Sequence, residues 1–461
     1  MPFSEDFYLT FFLAILAGAV YIGWLFRKIE RSVVLGAGLG VVAASVGVYV
    51  FMGPLNFCPF EPERNTMDHV VGIVLVAAGV SAVLFLTQYV VRLLLSRGPD
   101  RPSLAGDSTP GAFRSRFVVP ALLLTPTIII LAFFLYYPAI DLFRLSTLLT
   151  RLGTPRTAFR CVTQFSELLN PTFSAVGLGL LAGALIAWGL KLLLERTHRM
   201  HNPLYDIAET VRSPLSIAAL LVLTVELFNR NYSQFVLNTF FITGGTVILG
   251  LALGLAIAYL AYQPVKGAAI YRTLLIWPYA ISPAVAGVIF FVIFNQQVGI
   301  LNHSLKLLGL PEPNWITDAW LAKWTIIIAS VWKTLGYNIL FYLAGLQNVS
   351  KEMIEAAAID GANAWQRFRS VVLPSLSPIT FFLIITNITF AFFETFGTID
   401  FLTRGGPAGA STTMIYEIYE TGIIEGDLGR ASAQSIILFV MVIGVTIYQF
   451  RTTGRRVSYG A

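Results

Sequence analysis

Lys351 to Pro374 reads KEMIEAAAIDGANAWQRFRSVVLP and lies between two long apolar runs, residues 324–345 and 376–396. Glu355, Ala356, Ala357 and Ala358 favour helix strongly. Gly361 admits the backbone angles of a sharp turn. Beyond it Trp365, Phe368 and Val372 recur at helical spacing. Pro374 is expected to end the segment where the chain enters the next apolar run. The stretch predicts two short helices at an angle, kept out of the hydrocarbon by the runs on either side. Such a surface suits docking into a groove on a partner.

The two flanking runs set the class of the whole chain. A helix that crosses a bilayer needs about 20 predominantly apolar residues. Among 461 residues, 56% are hydrophobic and 12% charged, and the mean hydropathy is +0.73. A soluble domain carries about 25% charged residues, so this chain has too few to cover a water-facing surface. The expected fold is all-α, a polytopic integral membrane helical bundle of about eleven transmembrane helices. The candidate spans lie near 8–26, 33–52, 69–91, 117–137, 174–194, 214–229, 235–262, 273–294, 324–345, 376–396 and 432–450. The short run at 214–229 contains Glu226 and reads equally as a re-entrant or tilted helix. A Gly-, Pro-, Ser- and Arg-rich stretch at 96–116 reads as a cytoplasmic linker. It divides an N-terminal three-helix membrane segment, 1–95, from a core at 117–461 with an inserted membrane hairpin near 174–229.

Charge orients the bundle. Arg27, Lys28 and Arg31, the arginines around the linker, Arg196, Arg199 and Arg212, then Lys266 and Arg272, and finally Arg451, Arg455 and Arg456 mark inner loops. The N-terminus then lies outside and the C-terminus in the cytoplasm, with Arg144, Arg151, Arg156 and Arg160 as the external exception. The net charge of +6 belongs to this pattern and does not imply nucleic acid. Two cysteines and four scattered histidines supply no metal-ligand cluster. No GxxxxGK[ST] phosphate loop occurs, so the chain is not expected to hydrolyse ATP or to hold a cofactor of its own.

A polar solute crossing hydrocarbon needs polar side chains on bundle-facing helix surfaces. Ser330, Lys333, Thr334 and Tyr337 share one helix face, and Asn387, Ala391, Glu394 and Thr395 share another. A lysine in mid-membrane costs about 2.5–3.5 kcal/mol, which calls for a partner, and Glu394 is the candidate. Lys333 serves either a solute or that ion pair. Asn338 and Asn387 fit the pathway or interhelical hydrogen bonding. Trp277, Tyr279 and Trp332 have weaker claims.

The spacing Glu355-Ala356-Ala357, Asp360-Gly361, Val371, Leu373-Pro374 resembles the EAA loop of ATP-binding-cassette (ABC) importer permeases, with Val371 where the family usually has Ile. LIWPYAISPAVAGVIFF from Leu275, SVWKTLGYNILFYLAGLQ from Ser330, AFFETFGTIDFLTRGGPA from Ala391 and SAQSIILFVMVIGVTIYQFR from Ser432 extend the likeness to the carbohydrate and glycerol-3-phosphate group, the maltose-type, binding-protein-dependent permeases. It covers 117–160 and 230–456. The resemblance implies a type I importer core of six helices in the bacterial inner membrane. It implies a second permease subunit, two ATPase subunits that bind ATP and Mg, and an extracytoplasmic solute-binding protein. The EAA loop of that family docks on an ATPase. Positions matching Ser330, Thr334, Tyr337 and Thr395 line the sugar site of maltose-type relatives, and Lys333 matches a lysine of glycerol-3-phosphate permeases. Several of these residue types differ here, which leaves glycerol 3-phosphate, glucosylglycerol and di- or oligosaccharides all open.

The alternative is a secondary transporter, which would call for an internal repeat, and no half of the chain repeats the other. An integral membrane enzyme ranks last, because no recognisable catalytic set is present. Cys58 and Cys161 both fall outside in this topology, where an oxidising exterior permits a disulfide, with two free thiols as the other reading. Thiol labelling of the denatured, unreduced protein separates these. Labelling only after reduction is the outcome for a bridge, and two reactive thiols per chain rule it out.

Overall fold

The computed structural model describes Val20 and residues 118–154, 158–160, 162–196, 203–263 and 267–453. The expected N-terminal helices, the linker, the orientation of the N-terminus and both cysteines lie outside the described residues. Within them the chain is helical apart from one two-residue antiparallel pair, Leu148–Leu149 with Ala158–Phe159. Five helices are long and apolar enough to cross a membrane, or up to six if a bent pair counts as one span. The chain divides into two compact units. One holds the residues up to Glu167 with Thr421–Ala433, the other Leu168–Glu420 with Gln434–Ala461.

In the first unit, α1 (Val118–Leu131) runs through a π-helical stretch, Ala132–Tyr136, into α2 (Tyr137–Ser146). The strand pair that follows is tied down by backbone. The Leu152 N–H donates to the Gly426 carbonyl at 2.8 Å and the Leu428 N–H to the Thr150 carbonyl at 3.0 Å. The buried Gln164 amide donates to the Leu148 carbonyl at 2.8 Å. Two of the arginines that break the charge rule are paired here, Arg144 with Asp141 at 3.4 Å and Arg160 with Glu167 at 3.5 Å.

The second unit opens with an antiparallel hairpin, α3 (Ala175–Arg196) and α4 (Pro203–Glu226). Its register is fixed by Gly177 against Glu226, Gly183 against Leu215 and the Lys191 ammonium over the Tyr205 ring. Glu226 closes the open end by accepting from the Ser174 hydroxyl and backbone N–H. A carboxylate at that helix start is favourable. The apolar parts of the pair, Ala175–Lys191 and Pro214–Glu226, are shorter than a membrane crossing.

Six further stretches form the bundle: α5 (Arg230–Tyr262), α6 (Ala268–Ile276), α7 (Pro283–Phe294), α8 (Ile300–Leu307), α9 (Ala319–Gln347) and, beyond a polar loop, α12 (Ser377–Phe393). The loop holds α10 (Lys351–Ile359) and α11 (Ala364–Arg367), and the chain ends with α13 (Thr395–Leu402), α14 (Met414–Tyr419) and α15 (Leu428–Thr453). The single span expected over 273–294 is broken instead. Ile270–Ala280 and Pro283–Phe294 meet at 101°. Pro278 and Pro283 each lack an N–H, and Ser282 caps a new helix by accepting from the Val285 N–H. Pro374 also departs from expectation, because it does not end its segment. It falls in the first turn of Leu373–Ser375, after the π-helical Phe368–Val372, where a missing N–H costs little.

Two apolar clusters fill the bundle. One contains Ile242, Phe290, Ile326, Ile327, Ile399 and Leu402. The other contains Ala258, Ile339, Tyr342, Leu343, Leu346, Val372, Leu376 and Leu383. Helices α5 and α9 approach closely because α5 presents glycine. A Cβ at Gly254 would lie 2.6 Å from the Asn338 Cβ, whereas one at Gly244 would meet nothing within 4 Å. Gly254→Ala is therefore expected to destabilise the solubilised protein by about 1–3 kcal/mol through overpacking. Gly244→Ala should be neutral or stabilising by up to about 1 kcal/mol through helix propensity. Thermal unfolding of the detergent-solubilised variants checks the contrast; equal midpoints for the two would contradict this packing.

Candidate functional site

Lys333 is the central residue of α9. Its side chain is 8% exposed, and its ammonium donates to the Glu394 carboxylate at 2.7 Å. Glu394 stands at the junction of α12 and α13, with its side chain 43% exposed. A buried cation requires such a partner, since removing either member leaves an uncompensated charge. The Tyr279 ring, carried by the short 3-10 turn at the break between α6 and α7, lies 5.6 Å from the Lys333 ammonium. Tyr279 also packs on Tyr337 at 5.2 Å, and Tyr337 on Phe341 and Phe390 at 4.7 and 5.5 Å. The broken span thus delivers an aromatic face to the charged pair.

A shallow recess opens beside the pair, with a cavity volume of about 10 Å³, and part of it is open to the outside. Thr246, Ser330, Lys333, Thr334, Phe390, Ala391, Glu394, Thr395 and Thr398 line it. The hydroxyls differ in what they have left to offer. Thr334 donates to the Ser330 carbonyl at 2.9 Å, Thr395 to the Ala391 carbonyl at 2.9 Å and Thr398 to the Pro283 carbonyl at 3.4 Å. Thr246 Oγ1 and Ser330 Oγ are buried and have no hydrogen-bond partner among the described residues. An orphaned buried hydroxyl is costly and calls for an explanation.

The structure therefore brings Ser330, Lys333, Thr334, Glu394 and Thr395 to one recess, with Tyr337 behind Tyr279. It places Asn338 and Asn387 elsewhere. They are buried at 0% and 2% exposure and exchange amide hydrogen bonds at 2.7 and 3.2 Å. That reciprocal pair joins α9 to α12. Trp332 packs on Phe290 in the apolar cluster, and Trp277 points away, 63% exposed. Sequence reasoning missed Thr246, Phe390 and Thr398 of the lining, and Thr246 is the one with an unused hydroxyl. The signal for Thr246 was present, because Thr239, Thr243 and Thr246 recur on one face of a largely apolar helix.

The Lys351–Pro374 loop is a second, separate feature. Ser350 caps α10, accepting from the Met353 N–H at 3.3 Å and donating to Glu352 at 2.6 Å. The latter bond holds the Glu352 carboxyl below its ordinary range, so it stays ionised in the first turn of the helix. Gly361 adopts a left-handed φ of 82° and turns the chain toward α11. Asn363 and Gln366 close α11 with a capping box. Phe368 packs on Tyr259 at 5.1 Å, and Val372 is buried, so the second half of the loop is clamped to the bundle. Met353, Ile359 and Trp365 are left 55%, 87% and 67% exposed. Glu355, Ala356 and Ala357 lie within α10, Asp360 caps its end, and Leu373 is 40% exposed.

Residues 247–452 match the family described as binding-protein-dependent transport system inner membrane component. The sn-glycerol-3-phosphate transport system permease protein UgpA of Brucella abortus biovar 1 (strain 9-941) is 43% identical over 237 residues, 51% of this chain and 80% of that protein. UgpA of Rhizobium meliloti (strain 1021) is 44% identical over 217 residues, 47% of this chain and 73% of that protein. A chain of a bacterial ABC transporter involved in the import of the acidic polysaccharide alginate superposes with a TM-score of 0.53 at 18% identity, covering 74% of this chain and 97% of that one. At that identity the likeness bears on the fold alone. The chain thus belongs to the binding-protein-dependent transport system inner membrane component family, as a permease subunit of an ABC importer.

Proposed function

We propose that this permease carries a glycerol-derived or carbohydrate solute across the bacterial inner membrane, with sn-glycerol 3-phosphate as the best-supported solute. The observation that carries the reading is the recess. It combines one buried ammonium, two unpartnered hydroxyls and an aromatic face near the middle of the long helices. The ammonium matches a phosphate, and the hydroxyls match a polyol. The names and identity levels of the UgpA relatives support the same solute.

The power comes from outside the chain. A second permease subunit completes the pathway, and an extracytoplasmic solute-binding protein delivers the solute. Two ATPase subunits bind ATP and Mg. They engage Glu355, Ala356, Ala357, Asp360, Gly361, Leu373 and Pro374. The exposed Met353, Ile359 and Trp365 supply the apolar anchors of that engagement. Because Phe368 and Val372 clamp the loop to the bundle, a push on α10 is transmitted to α5, α9 and α12 as a rigid-body movement. The N-terminus lies outside and the C-terminus in the cytoplasm. The family of the chain disfavours the secondary-transporter alternative.

Gly361→Val tests the coupling. A β-branched residue at that positive φ is strained by about 1–3 kcal/mol, which changes the turn while leaving the spans intact. ATP-driven uptake of sn-glycerol 3-phosphate by the intact complex should fall at least about tenfold with the permease still in the membrane. Unchanged uptake would remove the loop from the coupling path. Tyr337→Ala should lower uptake while basal ATP hydrolysis persists, and an unchanged uptake profile across concentrations would move the solute site elsewhere.

A further inference from the structure

We propose that Glu394 is a displaceable counter-ion. It neutralises Lys333 while the recess is empty and yields its place to the anionic group of the solute, so that the pair selects phosphate monoesters over neutral polyols. This rests on the reading of the recess as the solute site.

The argument is the asymmetry of the pair. Lys333 is 8% exposed and Glu394 43% exposed, although they are 2.7 Å apart. The ammonium cannot leave without being buried uncompensated, but the carboxylate can rotate into the open part of the recess and be solvated there. Nothing else detains it: among the described residues its carboxylate makes no other side-chain hydrogen bond or ion pair. The lysine is held on a second side by the Tyr279 ring at 5.6 Å, and that ring is itself packed against Tyr337. The cation therefore stays in place when its partner departs.

The rest of the recess fits the exchange. Lys333 is the one cation among its lining residues. A phosphate monoester presents up to two charges and three terminal oxygens where Glu394 presents one charge and two oxygens, so it can outcompete the carboxylate for a single ammonium. Its polyol end then meets Thr246 Oγ1 and Ser330 Oγ, which have no partner among the described residues. A neutral polyol reaches the same hydroxyls but cannot replace a carboxylate, so it leaves the ion pair closed.

The test is a ³¹P NMR titration of sn-glycerol 3-phosphate into the assembled transporter complex in nanodiscs, without the solute-binding protein. Glu394 lowers the apparent affinity by the fraction of molecules in which it occupies Lys333, so Glu394→Gln should tighten binding by about threefold or more. Lys333→Gln should weaken it by at least about tenfold, since the charged acceptor loses its charged donor. Glu394→Asp keeps the charge but shortens the reach, and should tighten binding by a smaller factor than Gln. It keeps the test decisive if the Gln variant does not assemble. Unchanged or weaker binding in the assembled Gln variant, or in the Asp variant where Gln fails, overturns the proposal and leaves the solute reading standing. A wild-type complex that binds no sn-glycerol 3-phosphate yet imports a neutral sugar overturns the solute reading itself, and the proposal with it.

Discussion

The close approach of α5 to α9 is the constraint on which the rest of the second unit depends. In lipid the hydrophobic effect does not drive helices together, so their pairing rests on small residues that let backbones come near. Here Gly245, Gly250 and Gly254 face α9, where side chains would strike Ile327 and Asn338. That contact brings Thr246 of α5 into the recess with Ser330, Lys333 and Thr334 of α9. A larger residue on α5 would move the orphaned Thr246 hydroxyl away from the charged pair. The recess is thus a consequence of backbone proximity before it is a matter of side-chain chemistry.

Thr246, Ser330, Lys333, Thr334, Glu394 and Thr395 gather at one recess, whereas other polar side chains, such as Thr325 and Asn302, are buried elsewhere. Their partners decide their roles. Asn338 and Asn387 bond each other and act as structural glue. Lys333 and Glu394 satisfy each other too, but their exposures differ, and the recess opens on the carboxylate side. Similar residue types thus serve packing in one place and line an open recess in another. The loop beyond α9 repeats the division on a larger scale, since Phe368 and Val372 face the bundle while Ile359 and Trp365 face away from it.

Much of this was legible in the sequence, for identifiable reasons. Lys333 lies at the middle of a long apolar run, where a charge demands a partner, and Glu394 near the end of the next run is the carboxylate on hand. The two short helices around Gly361 follow from propensity and from the one residue type that turns freely. The break in the span after Ile276 was not legible as a break, because apolar composition is continuous across it. Pro278 and Pro283 mark it, yet prolines are tolerated in membrane helices when neighbours re-satisfy the backbone. Pro374 misled for a related reason: a preceding π-helical stretch lets the chain run on through it. Thr246 was overlooked because its role depends on which face of α5 meets α9, and that is set by glycines whose contribution is the absence of a side chain.

The central claim is that an ATP-hydrolysing partner drives this permease through α10. Ile359, 87% exposed at the end of that helix, is the position to interrogate. A photo-cross-linking amino acid placed there, activated in native membranes, should give a single major adduct with a nucleotide-binding subunit, and ATP should alter its yield. Adducts with lipid alone, or with no nucleotide-binding protein, would contradict the account.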